Sequence, residues 1–345
     1  MTNILKQVLG IDVAQKELVV SLGRMNSNLE PEIYTFKTFA NKLSGFEALL
    51  KWIKKHGSSD LPVRFVMEAT GVYHENLAYY LSDQGHEVSI VLPNKISNYI
   101  KTLEIQTITD KTASQAICQF GLEKKLGFWE RPKEIFREMK QLTRERDQII
   151  AERTVAKNQL HAEKAEAFPN QGSIARLKQR IQLFNTQEKE IKSEIAVIVR
   201  KDKELKERMD NVTSIPGVGH LTVAIVLGES NGFNLVKNKK QLVGYSGMGV
   251  KEKQSGTSVK GKPRISKKGN RHLRKAMHMP SLTAIRIDDH FKSIFVRLVS
   301  KHGIKMKALV AVQRKILELI FIIWNTNTKY DKDYFKKSIS DNPAA

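Results

Sequence analysis

Apolar and polar positions along this chain follow two different periods. Val8-Leu9-Gly10-Ile11-Asp12-Val13 and Leu18-Val19-Val20-Ser21-Leu22 are short apolar runs separated by a polar break, which predicts a first strand and the start of a hairpin over 8–23. Phe46, Leu49, Leu50, Trp52 and Ile53 fall at helical spacing over 46–55. Residues 63–68 read as a second buried strand, 74–84 as a helix, and 87–92 as a strand closed by Pro93. Strands alternating with helices predict an α/β domain over 1–130.

From 135 to 209 the period changes. Glycine is nearly absent, and Ile174, Leu177, Ile181, Phe184, Ile191, Ile195, Ile198, Leu205 and Met209 fit a heptad repeat broken by Glu188 and Asp202. A first helix over 135–160 and a turn at Pro169-Asn170-Gln171-Gly172 make 131–210 a helical hairpin and coiled-coil linker. The stripe pairs either within the chain or between protomers. An isolated arm would leave part of it wet, which favours the second. Residues 211–345 return to a globular pattern with glycines, a basic stretch over 237–275 and closing helices over 305–324.

Composition narrows the function. The 345 residues are 41% hydrophobic, enough for real cores, and 58 Lys and Arg against 36 Asp and Glu give a net charge of +22. That excess repels itself unless a polyanion relieves it, which points to nucleic acid. A single cysteine, Cys118 in an apolar stretch, excludes an internal disulfide and a Cys-rich zinc site. The first residues carry no export signal, and the apolar run over 316–324 is interrupted by Glu318 and too short for a bilayer. The expectation is a soluble, cytoplasmic protein with no membrane partner.

An acid inside an apolar strand needs a reason, because burying an unpaired carboxylate costs several kcal/mol, as an order of magnitude. Asp12 follows Val8-Leu9-Gly10-Ile11, and Glu68 ends the strand over 63–68, before Ala69-Thr70-Gly71-Val72-Tyr73. Two carboxylates on adjacent strands can share a divalent cation, and Mg²⁺ suits phosphoryl transfer. A third acid, Asp110 in Thr109-Asp110-Lys111, opens a helix, where it also reads as an N-cap. The residue three positions on would face the same point, and it is Ala113.

Gly10-Ile11-Asp12-Val13, Glu68-Ala69-Thr70-Gly71-Val72-Tyr73 and Thr109-Asp110-Lys111 resemble the motifs of the DEDD transposases, the Piv-type insertion-sequence family associated with bridge-RNA-guided recombination. The resemblance implies a RuvC-like, RNase H-type N-terminal domain whose four acids bind Mg²⁺. Asp12, Glu68 and Asp110 match the first three, and Ala113 stands where the fourth belongs. A methyl group ligates nothing, so catalysis is impaired. Ala113 is either a natural variant or an inactivating replacement, and the intact flanking pattern with no neighbouring acid as substitute favours the second.

Toward the C-terminus, Ser214-Ile215-Pro216-Gly217-Val218-Gly219 precedes a helical run, and backbone N–H groups at Gly217 and Gly219 can hold a phosphate. The same pattern also reads as a plain helix-entry turn. Ser255-Gly256 lies in a flexible basic loop with Lys260, Lys262 and Arg264, running on to Lys267, Lys268, Arg271 and Arg274. Cations around a hydroxyl attract a phosphodiester and stabilise charge during attack at phosphorus. By residue chemistry alone most Ser-Gly pairs are loop punctuation, and Ser258 and Ser266 compete with Ser255. Gln241-Leu242-Val243-Gly244-Tyr245-Ser246-Gly247-Met248, Ser255-Gly256 and Arg264-Ile265-Ser266-Lys267-Lys268-Gly269 are similar to the family's mostly helical C-terminal transposase domain. The resemblance implies that Ser255 is the nucleophile of a covalent protein–DNA intermediate. It further implies a composite Mg²⁺-dependent site in a homodimer or homotetramer, and a guide RNA pairing with donor and target DNA.

The expected function is therefore insertion-sequence transposition or recombination through a serine–DNA intermediate. A RuvC-like structure-specific nuclease, such as a junction resolvase, needs no serine. A non-catalytic nucleic-acid-binding scaffold needs neither site.

Overall fold

The apolar run around Asp12 becomes the middle strand of a sheet, where β-branched and leucine side chains fill both faces. The computed structural model describes residues 4–333 apart from 60, 70, 104, 106, 253, 256–258, 262 and 263. The chain divides into two units, Met1–Arg131 and Pro132–Ala345.

In the first unit β1 (Ile4–Val13), β2 (Glu17–Asn26) and β3 (Pro31–Ala40) form an antiparallel meander, followed by α1 (Leu43–His56). Then come β4 (Val63–Glu68), α2 (Glu75–Asp83), β5 (Val88–Val91), α3 (Pro93–Ile100) and α4 (Asp110–Glu123). The five-stranded sheet has the order β3-β2-β1-β4-β5, with β4 parallel to both β1 and β5. Parallel strands need crossover connections, and α1 and α2 supply them. Leu9, Ile11, Phe65 and Met67 pack with Leu49, Trp52, Leu77 and Leu81 of α1 and α2. Val8 and Val66 face the opposite side, against Ile117, Cys118 and Phe120 of α4.

The expected first hairpin is present, but the edge strand β3 went unread. Its pattern is mostly exposed, including Phe36, so it lacks the clean alternation of a half-buried strand. Cys118 is fully buried and its thiol is pushed up to about 12 by that burial, which makes it an inert packing group.

The second unit begins with α5 (Glu134–Ala165), α6 (Gln171–Lys201), α7 (Lys203–Thr213), α8 (His220–Ser230) and α9 (Lys239–Tyr245). Four two-residue strands follow: β6 (Val250–Lys251), β7 (Gln254–Ser255), β8 (Val259–Lys260) and β9 (Arg264–Ile265). The unit ends with α10 (Arg271–Ala276), α11 (His278–Ile287), α12 (Asp289–His302) and α13 (Lys305–Thr326). The mixed α/β first unit and mostly helical second unit agree with the sequence.

The expected heptad run to Met209 is two helices, because Asp202 stops α6 and caps α7, its side chain accepting from Leu205 N–H at 3.0 Å. Ile191, Ile195 and Ile198 join Met139 and Leu142 of α5 in the core shared with Leu227 and Ile320. The seam observed is thus between α5 and α6 of one chain. Glu188, the acid in the heptad stripe, is buried against Arg146 at 2.7 Å, Arg153 at 2.5 Å and Lys192 at 2.8 Å. Burial pushes its carboxyl up, but hydrogen bonds from Lys192, Arg153 and Arg146 outweigh that and hold it at about 2.

Candidate active site

Parallel pairing of Ile11 with Met67 sets Asp12 and Glu68 side by side, one residue further along β1 and β4. Both lie on the face of the sheet that α4 covers, since alternate residues share a face. α4 approaches β1 closely because residue 10 is glycine: a Cβ there would land on the backbone N of Cys118 and the carbonyl of Ser114. Ser21 and Ser114 hydroxyls, 2.8 Å apart, pin the same crossing at β2.

The start of α4 is fixed by a reciprocal cap. Thr109 Oγ1 accepts from Thr112 N–H at 3.2 Å, and Thr109 N–H donates to Thr112 Oγ1 at 2.7 Å. Asp110 is therefore the first helical residue, not the cap that sequence alone allowed. Its negative charge sits favourably at the helix N-terminus. Ala113, one turn on, is half-buried and brings no donor.

Asp12 responds to its surroundings. Burial pushes the Asp12 carboxyl up to about 6, and the neighbouring charges of Asp110 and Glu68 add to the shift. A cluster of carboxylates of this kind fits a hard divalent cation, whose charge would reverse the effect. Among the described residues, however, no group of three or more His, Cys, Asp or Glu is assembled tightly enough to hold a metal ion. Carboxylate oxygens are the donors such a cation takes, and Ala113 adds none.

Asn41 is a contributor that the sequence did not reveal. Its Nδ2 donates to Ala14 O at 2.9 Å and Tyr73 O at 3.1 Å, tying the turn after Asp12 to the loop after Glu68. An asparagine after an edge strand carries no signal of this in sequence.

In the second unit the flexible loop expected around Ser255 is a β-ribbon. β6 pairs with β9, and β7 with β8, where Ser255 lies opposite Val259. Ser258 and Lys262 lie outside the described residues, as do the side chains of Ser255 and Lys260. Arg264, Lys267, Lys268 and Arg271 are exposed along the ribbon and the segment leading to α10. Arg274 instead turns inward, its Nη1 donating to Ser246 O at 2.6 Å and Gly269 O at 3.1 Å. The two glycines of the turn before α8 also differ. Gly217, at φ +83°, faces the carbonyl of Pro280, where any side chain would collide, whereas Gly219 N-caps α8 with open space around it.

Residues 9–169 match a DEDD transposase family of the IS110 type, described as Transposase, and residues 209–295 match the Transposase IS116/IS110/IS902 family. The chain belongs to the IS110 family of DEDD transposases. Its enzyme class is that of DNA recombinases. The chain is 28% identical over 338 residues to the pilin gene-inverting protein of Moraxella bovis, covering 95% of this chain and 98% of that protein. The Moraxella lacunata pilin gene-inverting protein is 27% identical over 336 residues, with 95% and 98% covered. An IS110 insertion-element protein of Streptomyces coelicolor matches at 27% identity over 120 residues, 35% of this chain and 29% of its own. Among solved structures, T. thermophilus RuvC in complex with a Holliday junction is 9% identical, with 36% of this chain and 99% of that one covered and a TM-score of 0.28. No helix among the described residues is long and apolar enough to cross a membrane.

Proposed function

We propose that this IS110-family chain acts on DNA as a site-specific recombinase or transposase, forming a covalent link through Ser255 and using Mg²⁺ held by Asp12, Glu68 and Asp110. The observation that carries the metal half is the raised Asp12 carboxyl, perturbed by burial and by the two other acids at the ends of β1, β4 and the start of α4. When bound, the cation supplies charge neutralisation at the scissile phosphodiester. The chain's own parts do the rest. β1 and β4 fix Asp12 and Glu68 in register, the Thr109 cap orients Asp110, and Arg264, Lys267, Lys268 and Arg271 draw the DNA backbone to the ribbon that bears Ser255.

The serine chemistry follows from the resemblance and from the basic setting of Ser255. Its hydroxyl gives up its proton as the oxygen attacks phosphorus, a P–O bond of the strand breaks, and the departing deoxyribose oxygen takes up one proton in exchange through solvent. Reversal with a second strand releases Ser255 and joins the DNA. The same resemblance adds an RNA guide, which a net charge of +22 accommodates, and a homodimer or homotetramer that would bring serine and carboxylates to one phosphodiester. Ala113 makes this chain a weak catalyst.

The test is protein–DNA capture by the Ala113→Asp chain with Mg²⁺, resolved on denaturing gels. An adduct that disappears with Ser255→Ala, while DNA binding persists, supports the reading. Mg²⁺-dependent cleavage with no adduct would favour a RuvC-like nuclease instead. An adduct surviving Ser255→Ala would move the nucleophile to another hydroxyl.

A further inference from the structure

The second unit buries a carboxylate that the chemistry above does not use. Glu229, near the end of α8, is 2% exposed. Two segments far apart in sequence converge on it. Arg144 of α5 donates Nε to Oε1 at 2.7 Å and Nη2 to Oε2 at 3.0 Å, while Asn270 donates Nδ2 to Oε2 at 2.6 Å. Burial alone would raise this carboxyl, but hydrogen bonds from Arg144 and Asn270 outweigh it and lower it instead.

Asn270 is the joint between ribbon and helix. Its Oδ1 caps α10, accepting from His272 N–H at 2.9 Å and Leu273 N–H at 3.3 Å, and its own N–H donates to Tyr245 O at 2.7 Å. The Tyr245 hydroxyl closes the circuit by donating to Glu229 O at 3.0 Å. Asn270 follows closely on β9, the strand that pairs with β6 at the foot of the ribbon carrying Ser255. One turn along α5 from Arg144, Asp147 accepts from His272 Nδ1 at 3.1 Å and Lys275 Nζ at 2.9 Å. The helical hairpin therefore grips both sides of the segment where the ribbon returns to the core.

We propose that Glu229 is a positioning residue for the serine ribbon, fixing its foot through Asn270 and tying it to α5 through Arg144. This inference rests on the reading of Ser255 as nucleophile. Apolar side chains in place of the whole Glu229, Arg144 and Asn270 set would fill the space, often at equal or better stability. A carboxylate adds the ability to hold a guanidinium and an amide at once. Transfer at phosphorus tolerates little misplacement, and an error of about 1 Å in such a site costs up to about 100-fold in rate.

The experiment uses the full chain carrying Ala113→Asp, with DNA capture and limited trypsin digestion measured side by side. E229A is expected to lower the rate of adduct formation at saturating DNA by at least about tenfold. The DNA concentration giving half-maximal rate should change by less than about twofold. Trypsin should cut after Arg264, Lys267 and Lys268 about tenfold faster, as the local unfolding of that foot becomes easier. The double variant E229Q/N270D keeps the net charge, reverses the hydrogen bond and retains a good helix cap, so it should restore most of both losses. Should E229A fail to fold, E229Q takes its place, since a neutral amide loses the ion pair with Arg144 and sets its NH₂ against a donor in either orientation. An unchanged capture rate, or a double variant that melts like the parent but captures no better than E229A, overturns the proposal. If the parent itself forms no adduct, the serine reading fails, and the digestion alone decides whether Glu229 holds the ribbon's foot. Unaltered trypsin protection would then refute it.

Discussion

Asp12 in the first unit and Glu188 in the second are both carboxylates withdrawn from water, yet they are pushed in opposite directions. Glu188 meets three cations and ends at about 2, whereas Asp12 meets two further acids and ends at about 6. In the helical hairpin the chain has solved its own electrostatic problem, and the result is a seam with a defined register. In the sheet the neighbours of Asp12 are acids, which add to the effect of burial. Under the proposed metal site, that contrast separates a structural acid from a functional one better than burial does.

The comparison can be broken in several places. Gly10→Ala should have the largest effect, about 4 kcal/mol or more, because the new methyl meets backbone of α4 and not a movable side chain. Urea denaturation measures it, and the Asp12 carboxyl should lose the contribution of Asp110 as α4 is displaced. Glu188→Gln should destabilise by about 2 kcal/mol, a figure reduced because Arg146 and Arg153 are only half-buried and Lys192 is exposed. The pH profile carries the same sign. With its folded value depressed from 4.5 to about 2, Glu188 stabilises the fold above pH 4.5, and that contribution is lost as pH falls toward 2. The variant should therefore show a flatter acid-denaturation curve.

Asp12→Asn should act in reverse. Its folded carboxyl is raised from 3.8 to about 6, so ionised Asp12 weakens the fold above pH 6 and not below 3.8. The variant is expected to gain about 1 kcal/mol at neutral pH, a figure reduced for partial exposure. It should also lose any Mg²⁺-induced rise in melting temperature. Smallest is Lys268→Ala at the exposed ribbon segment, which should reduce the slope of log binding constant against log salt by about 1 without changing sequence preference.

Much of the first unit was legible from the chain. The strand over 63–68 and the helix opening at Asp110 follow from apolar runs and cap chemistry. What sequence lacked was the reach of Gly10 across to α4, Asn41 as a tie between the turn after Asp12 and the loop after Glu68, and the edge strand β3, whose exposure erases its pattern. In the second unit the heptad reading identified the buried stripe but ran past Asp202, because a helix break costs a repeat nothing when the next helix resumes its apolar phase. The ribbon around Ser255 read as a loop since two-residue strands leave no periodicity. Arg274 and Arg264 look alike in sequence, and only the carbonyls of Ser246 and Gly269 distinguish the inward guanidinium.

The central claim is that the acids at Asp12, Glu68 and Asp110 form a metal site completed by a fourth acid where Ala113 stands. DNA cleavage by the Ala113→Asp chain, measured against the unaltered one with Mg²⁺ and with chelator, tests it most directly. A gain of about 100-fold that chelation abolishes is expected, the upper end of what losing even an outer-sphere partner of a metal costs. Equal cleavage by the two chains, or a gain that persists without metal, would contradict it.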